Sequence, residues 1–357
     1  MNGSTVPSPR LLDLAPKLID EALQVKEGQV IEVTLTGERD YLDVLDAFTL
    51  SLSQMGAFPV IRLNTPSYRR RFLQSVPEKY LIKPPPHMIK WIADIDRHIN
   101  LIADSPDFNP DHIAEKRRQA HRDARKKIVG KIQQKNISSI YIPTQELANY
   151  CGIGLDKLEQ QILNGLDIDY VDIRRKCRQT AERIRRKNKE IMLGSAGQFA
   201  LTCRFADRHV HIEDGRHELP CGMVFFSPQE HTVNGSVLID RCWINSKTIK
   251  HLLLEFSDGH LIKSSAESNH KLFVDLLKNS YGDSDIFAGI GIGLNSGLHE
   301  RTGNQLTDFY VNGSVHIGLG SNLIYGGTNS SDMFIRLPVV EPDLLIDGEP
   351  LVSAIQL

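Results

Sequence analysis

Residues 304–320 read NQLTDFYVNGSVHIGLG, after a glycine-rich run AGIGIGLN at residues 288–295 and before GGTNSS at residues 326–331. β-Branched and aromatic residues mix here with glycine and with Asn, Asp and His. Glycine weakens a strand on propensity alone, so its repeated use in strand-like sequence needs a reason. Two reasons stand open from the residues: backbones packed closely in a sheet, or the floor of a ligand site.

Outward from this stretch, the half from about residue 190 is built of short alternating runs. They cover residues 190–194, 199–205, 209–213, 223–228, 237–239, 249–256 and 260–264, and the Asp258-Gly259 pair between the last two predicts a tight hairpin. One substantial helix is expected at 267–279. The other half has a longer rhythm. Apolar residues at helical spacing from Leu11 to Leu23 precede a strand at 30–36, then a helix at 40–55 and a strand at 58–63, with further strands at 98–103 and 138–142. Helix and strand in alternation with short links predict a parallel sheet. The expected fold is therefore an α/β N-terminal domain with a mostly parallel sheet, at 1–190, and an α+β C-terminal domain with mainly antiparallel strands, at 191–357.

Composition narrows the function classes. Of 357 residues 41% are hydrophobic and 24% charged, with a formal net charge of -2. That size supports two domains with ordinary cores, and that charge supplies no global attraction to nucleic acid or an anionic membrane. No run of about 20 apolar residues suggests a membrane span, and residues 1–10 (MNGSTVPSPR) lack the apolar centre of a secretory signal. Five cysteines (Cys151, Cys177, Cys203, Cys221 and Cys242) form no close pair, which points to buried free thiols and a cytoplasmic location. Two helices are strongly basic, at 110–134 (Lys116, Arg117, Arg118, Arg122, Arg125, Lys126, Lys127, Lys131) and at 170–189 (Arg174, Arg175, Lys176, Arg178, Arg183, Arg185, Arg186, Lys187). They lack aromatic interleaving and read as solvated faces before they read as a nucleic-acid surface; docking of an acidic leader peptide is a weaker reading. Arg69-Arg70-Arg71 offers phosphate binding, against the plainer reading of a surface helix start.

No HExxH spacing and no G-x-S-x-G elbow occur. The AGIGIGLN run does not open a helix, so it is not a dinucleotide fingerprint. Cys221 between Pro220 and Gly222, with His231 ten residues on, is a weak candidate nucleophile pair.

Five stretches in order resemble the thermophilic-type metalloaminopeptidases, aminopeptidases T and S. They are LIDEALQVKEGQVIEV near residue 18, GAFPVIRL at 56, HELPCGMVFFSPQEHTVNGSV at 217, AGIGIGLN at 288 and NQLTDFYVNGSVHIGLG at 304, followed by GGTNSS. The resemblance implies a dinuclear metal site and a homodimer around an internal cavity. Carried over position by position, the family's ligands fall on other residue types. The first glutamate falls on Met223, the second on Gly289 beside Ile290, and the glutamate and lysine after Asp308 fall on Phe309 and Tyr310. The closing histidine and aspartate fall on Met333 and Ile335, one residue from Asp332, and only His316 is retained. Metal affinity follows ligand number and charge, so the expectation is no bound metal and no cofactor. Ring-cleaving dihydroxypyridine dioxygenases share the fold and use two histidines and a carboxylate on iron(II); here the closing pair is absent too.

Two functions stay open. One is a peptide or amino-acid-like ligand held without hydrolysis, with partner enzymes of a biosynthetic pathway. The other is a metal-independent or noncanonical enzyme acting on a peptide or small ring compound, with His316 as acid or base, assisted by Asp308 or Tyr310; a surviving metalloaminopeptidase or ring-cleaving dioxygenase is the weaker reading beside these. Ligand contacts are expected from Asn295, His299, Asn304, Met223, Phe309 and Met333.

Overall fold

The computed structural model describes residues 8–104, 113–185, 190–205, 208–244, 247–304 and 306–353. The chain divides into two compact units. The first runs through Tyr150 and adds Gly154–Asp167 and Gly215–Pro220; the second takes Cys151–Ile153, Ile168–Asp214 and the chain from Cys221 onward. The division expected at residue 190 thus falls differently. The basic helix Tyr170–Arg185 belongs to the second unit, because Ile173, Cys177, Ala181 and Ile184 are buried there. The expected end of that helix, at 186–189, lies outside the described residues, as does the start of the other basic helix at 110–112.

The first unit is built on β1 (Val30–Thr36), β2 (Phe58–Asn64), β3 (Arg97–Ile102) and β4 (Asn136–Tyr141), parallel in the order β2-β1-β3-β4. The register explains an unusual division of faces. Thr34 lies opposite Arg62 and Asn100, and Glu32 opposite His98. Period-two alternation therefore puts Glu32, Thr34, Thr36, Arg62, Asn64, His98 and Asn100 on one face and Ile31, Val33, Leu35, Ile99 and Leu101 on the other. A parallel sheet covered on both sides normally reads apolar throughout; this one is apolar on one face only. Helix α1 (Pro9–Lys17), which continues into one π turn at Leu18–Ala22, packs on α2 (Leu42–Gln54), and α2 packs on β1 and β2 with Val44, Leu45, Phe48 and Leu52 buried. Helices α3 (Pro66–Ser75), α4 (Glu78–Leu81), α5 (Pro86–Asp94) and α6 (Glu115–Gln133) make small cores of their own. Leu73, Leu81 and Ile113 form one; Met88, Ile92 and Ile128 form another. Arg117 of α6 donates to the Leu73 carbonyl at 2.7 Å and to that of Val76, satisfying the end of α3.

Among the described residues of the second unit the strands pair antiparallel, and an isolated bridge between Asn295 and Val311 is parallel. A seven-stranded sheet runs His260–Ser265, Lys247–Ser257, Asn234–Ile244, Phe199–Arg204, Glu190–Ser195, Pro342–Ile346, Glu349–Val352. A five-stranded sheet runs Phe334–Pro338, Val315–Gly320, Phe287–Gly293, Met223–Phe226, His211–Glu213. Asp258 (φ 50°) and Gly259 (φ 85°) form the expected hairpin turn. All five cysteines are free and buried, and burial pushes the thiols of Cys151, Cys177, Cys203 and Cys242 up to about 12. Cys221 is fully buried while His231 is exposed and stacks on His260, so no nucleophile pair forms.

Close packing accounts for the glycines of Phe287–Gly293, a strand buried at every position. A Cβ on Gly289 would lie 2.5 Å from the Phe226 carbonyl and from the Phe225 ring; one on Gly291 would lie 2.1 Å from His316 Nε2. Gly291→Ala is expected to cost about 3 kcal/mol through overpacking against a ring that has nowhere to move. Gly130→Ala, in the body of α6 with nothing within 4 Å of its Cβ, should instead stabilise by about 0.5–1 kcal/mol. Denaturation midpoints of the two variants check both signs.

Candidate functional site

Strand Val315–Gly320 places His316 opposite Gly291 on one side and Pro338 on the other. The imidazole is fully buried, and neither ring nitrogen has a hydrogen-bond partner. Its surroundings are aromatic: Phe225 stacks on it at 6.0 Å between centroids, and Phe309 meets it edge-on at 4.8 Å. Burial, and then the charge of Arg336, drive its pKa well below the ordinary imidazole range. His316 is a neutral ring in an apolar wall.

Asp308 faces other groups. Its carboxylate accepts from the backbone N–H of Thr302 (3.0 and 3.1 Å), from that of Gly303 (2.7 Å) and from the Thr302 hydroxyl (3.4 Å). Burial raises its pKa to about 6, against those hydrogen bonds and the Arg301 charge, which lower it. None of these bonds goes to His316, so the two residues do not form an acid–base pair. Tyr310 is buried in a cluster with Met223, Phe225, Leu298, Val311 and Tyr325.

The other expected contacts divide by what surrounds them. Asn295 donates to the Cys221 carbonyl (2.6 Å) and accepts from Gly297 N–H (2.9 Å); Asn304 donates to the Thr307 hydroxyl (3.0 Å) and accepts from Leu306 N–H (2.8 Å). Both asparagines hold loops in shape. His299 is exposed. Met223 touches Arg336 Nη1 through its sulfur at 3.7 Å, and Met333 is buried beside Gly320.

Asp308 and Phe309 line a cavity of about 160 Å³ with Arg241, Trp243, Phe334 and Arg336. Arg336 lies over the Phe309 ring at 5.1 Å, so Phe309 touches both the cavity's cation and the buried imidazole. The indole N–H of Trp243 is buried without a partner. These four residues were not anticipated. Their signal was period two: Arg241 and Trp243 on one strand, Phe334 and Arg336 on another, each pair turned to one face.

Residues 8–334 match the thermophilic metalloprotease family (M29), and the chain belongs to that family. None of the curated proteins matches. Among solved structures, wild-type AmpT from Thermus thermophilus superposes with a TM-score of 0.74 at 15% identity, over 97% of this chain and 98% of that one. The 2,5-dihydroxypyridine dioxygenase from Pseudomonas putida KT2440 superposes with a TM-score of 0.65 at 13% identity, over 98% and 97%. At such identities the likeness fixes the two-part α/β and antiparallel fold and leaves chemistry to the site.

The donor set fits a metal poorly. Among the described residues no three His, Cys, Asp or Glu side chains cluster so as to hold an ion. Around His316 stand aromatic rings and the Arg336 cation, which opposes a second positive charge.

The raised pKa of Asp308 has a definite sign in stability. Between pH 4 and 6 the folded chain holds this proton while the unfolded chain releases it, so the contribution of Asp308 to stability falls as pH rises through that window. The shift corresponds to about 3 kcal/mol. The melting temperature of the wild type relative to Asp308→Asn should therefore fall from pH 4 to pH 6 and level off above it, measured by calorimetry at matched ionic strength.

Proposed function

We propose that this M29 chain binds a peptide or amino-acid-like ligand in the cavity beside His316 and does not hydrolyse it by a metal-assisted route. The observation that carries the reading is the pairing of two environments. Where metal-assisted hydrolysis needs several anionic or imidazole donors, His316 is ringed by Phe225 and Phe309 with Arg336 near. Where a small zwitterion needs complementary groups, the adjoining cavity offers two guanidiniums, an unpartnered indole N–H, the Asp308 carboxyl and two phenylalanine rings. Its size suits one amino-acid residue or a chain end. In this reading the ligand carboxylate takes Arg336 and the Trp243 N–H. The protein acts as a homodimer that presents a bound peptide to partner enzymes of a biosynthetic pathway.

A second reading, metal-independent catalysis, draws on Asp308, whose pKa of about 6 suits proton transfer near neutrality. It does not draw on His316, which has no carboxylate partner and does not line the cavity.

Titration calorimetry with leucine, N-acetyl-leucine and leucine amide tests the first reading. Compounds with a free carboxylate should bind, and Arg336→Met should weaken them at least tenfold, the scale of one charge-assisted hydrogen bond of about 1.5–3 kcal/mol. Elemental analysis of purified protein showing two tightly held divalent ions per chain, with chelator-sensitive trimming of peptide N-termini, would overturn it.

A further inference from the structure

The polar face of the first unit's sheet borders a cavity of about 1080 Å³, roofed by residues of α3 through α6. From the sheet come Glu32, Thr34 and Thr36 of β1, Arg62 and Asn64 of β2, and His98 and Asn100 of β3. This is the physical counterpart of the alternation in the strands. Helices that would bury an apolar sheet face instead keep to their own small cores and leave a polar hollow beneath them.

The hollow is cationic. Its lining carries six Lys and Arg side chains against one carboxylate, Glu32. Glu32 is already engaged by Arg62 (3.2 Å), by His98 Nδ1 (3.2 Å) and by the Thr34 hydroxyl (3.3 Å). Burial raises its pKa, but His98 and Arg62 together hold it below the ordinary glutamate value. Two further lining cations have acidic neighbours on α6 itself: Arg122 pairs with Glu115, and Lys126 with Asp123. The core of the cluster is Arg62, Arg69 and Arg125. Arg125 is depressed by burial and by the charge of both other arginines, and His121 is driven down to about 4 by burial, Arg125 and Arg69. Asp104 offsets part of the charge at Arg69, and Glu32 part of that at Arg125; the half-buried arginines still repel one another, and an anion in the hollow would relieve that repulsion.

A second observation points into the same hollow. His98 is 2% exposed and lines the cavity, and its Nε2 has no hydrogen-bond partner. Buried polar atoms left unpaired are uncommon and ask for a partner. Aromatic rings complete the wall: Tyr68 lies 6.0 Å from Phe72, Phe72 meets His121 at 5.6 Å, and Tyr80 stands nearby in the lining. The order β2-β1-β3 switches direction at β1, but the hollow lies over the face of these strands, from Glu32 and His98 near their starts to Thr36 and Asn64 at their ends.

We propose that this cavity binds a phosphate ester of a planar heterocycle, of nucleotide size, with the phosphate on Arg62, Arg69 and Arg125 and the ring among Tyr68, Phe72 and Tyr80. Guanidinium forks match phosphate oxygens bidentately, which favours phosphate over a single carboxylate. The volume is large for phosphate alone and fits a small organic ligand. The site is separate from the cavity beside His316, and it gives a role to Arg69, the first of the three consecutive arginines, and to the inner side of the basic α6 helix.

The test uses the full chain, with calorimetry and thermal-shift titration of AMP, UMP, flavin mononucleotide, adenosine and inorganic phosphate. At least one ester should bind ten or more times tighter than adenosine and phosphate, and Arg125→Gln and Arg69→Gln should each weaken it at least tenfold. Without ligand, Arg125→Gln should melt no lower than wild type, because it relieves repulsion among the arginines; a purely structural arginine would lower it. Arg336→Met should leave this binding unchanged, which separates the result from the proposal for the second unit. Failure of every ester to bind overturns the inference. Adenosine or phosphate binding as tightly as the esters does so too, as does unchanged affinity in both arginine variants.

Discussion

The close approach of strand Phe287–Gly293 to its neighbours sets the geometry around His316. Backbone and rings occupy the space where side chains at Gly289, Gly291 and Gly293 would stand. Phe225 fills the gap left by Gly289, and the His316 imidazole fills the gap left by Gly291. Once those rings are seated, Phe309 closes over the imidazole and Arg336 lies on Phe309. The small cavity with Asp308 and Trp243 is what remains beyond that stack. Glycine here does not loosen the sheet; it lets large rings enter it.

The two units handle charge in opposite ways. In the second, a potential metal ligand is desolvated until only its neutral form is favourable, and its surroundings are greasy. In the first, charge is retained at close quarters and left facing a hollow. Both arrangements carry an energetic penalty for the isolated protein, since buried unpaired polar atoms and crowded cations are each unfavourable. Membership of the thermophilic metalloprotease family explains the scaffold on which both sit. It does not explain why His316 lacks partners or why β1, β2 and β3 show a polar face, and those features are where this chain's own chemistry is written.

Much of this was legible in the residues. Helix and strand alternation located the four parallel strands within a residue or two, because apolar period and glycine stops act locally. Asp258-Gly259 marked its hairpin by turn chemistry; Asp347-Gly348 (φ 52° and 80°) carries the same chemistry and makes the hairpin of Pro342–Ile346 and Glu349–Val352, which went unread. The candidate site was legible only in part. His316, Asp308 and Phe309 lie close in sequence and stay close in space, but Asn295 and Asn304 serve loop geometry, which depends on carbonyls and N–H groups that no spacing reveals. Arg241, Trp243 and Arg336 meet only through contacts between strands about a hundred residues apart. The arginine cluster of the first unit was hidden for a related reason. Arg62, Arg69 and Arg125 sit on a strand and two helices, and a basic helix looks alike from sequence whether it faces water or a hollow.

The short strand Glu218–Leu219 lies parallel to β4 at the edge of the first unit's sheet. The Arg216 carbonyl just before it accepts from the Ser138 hydroxyl (2.7 Å) and from Arg97 (3.2 Å), while Ser139 N–H donates to the His217 carbonyl (2.7 Å). The chain has by then already laid down the first strands of the other unit. The earlier unit therefore cannot finish its edge during synthesis until nearly eighty residues beyond β4 have left the ribosome. A fragment cut between the halves at residue 190 would expose that open margin to any passing β-segment.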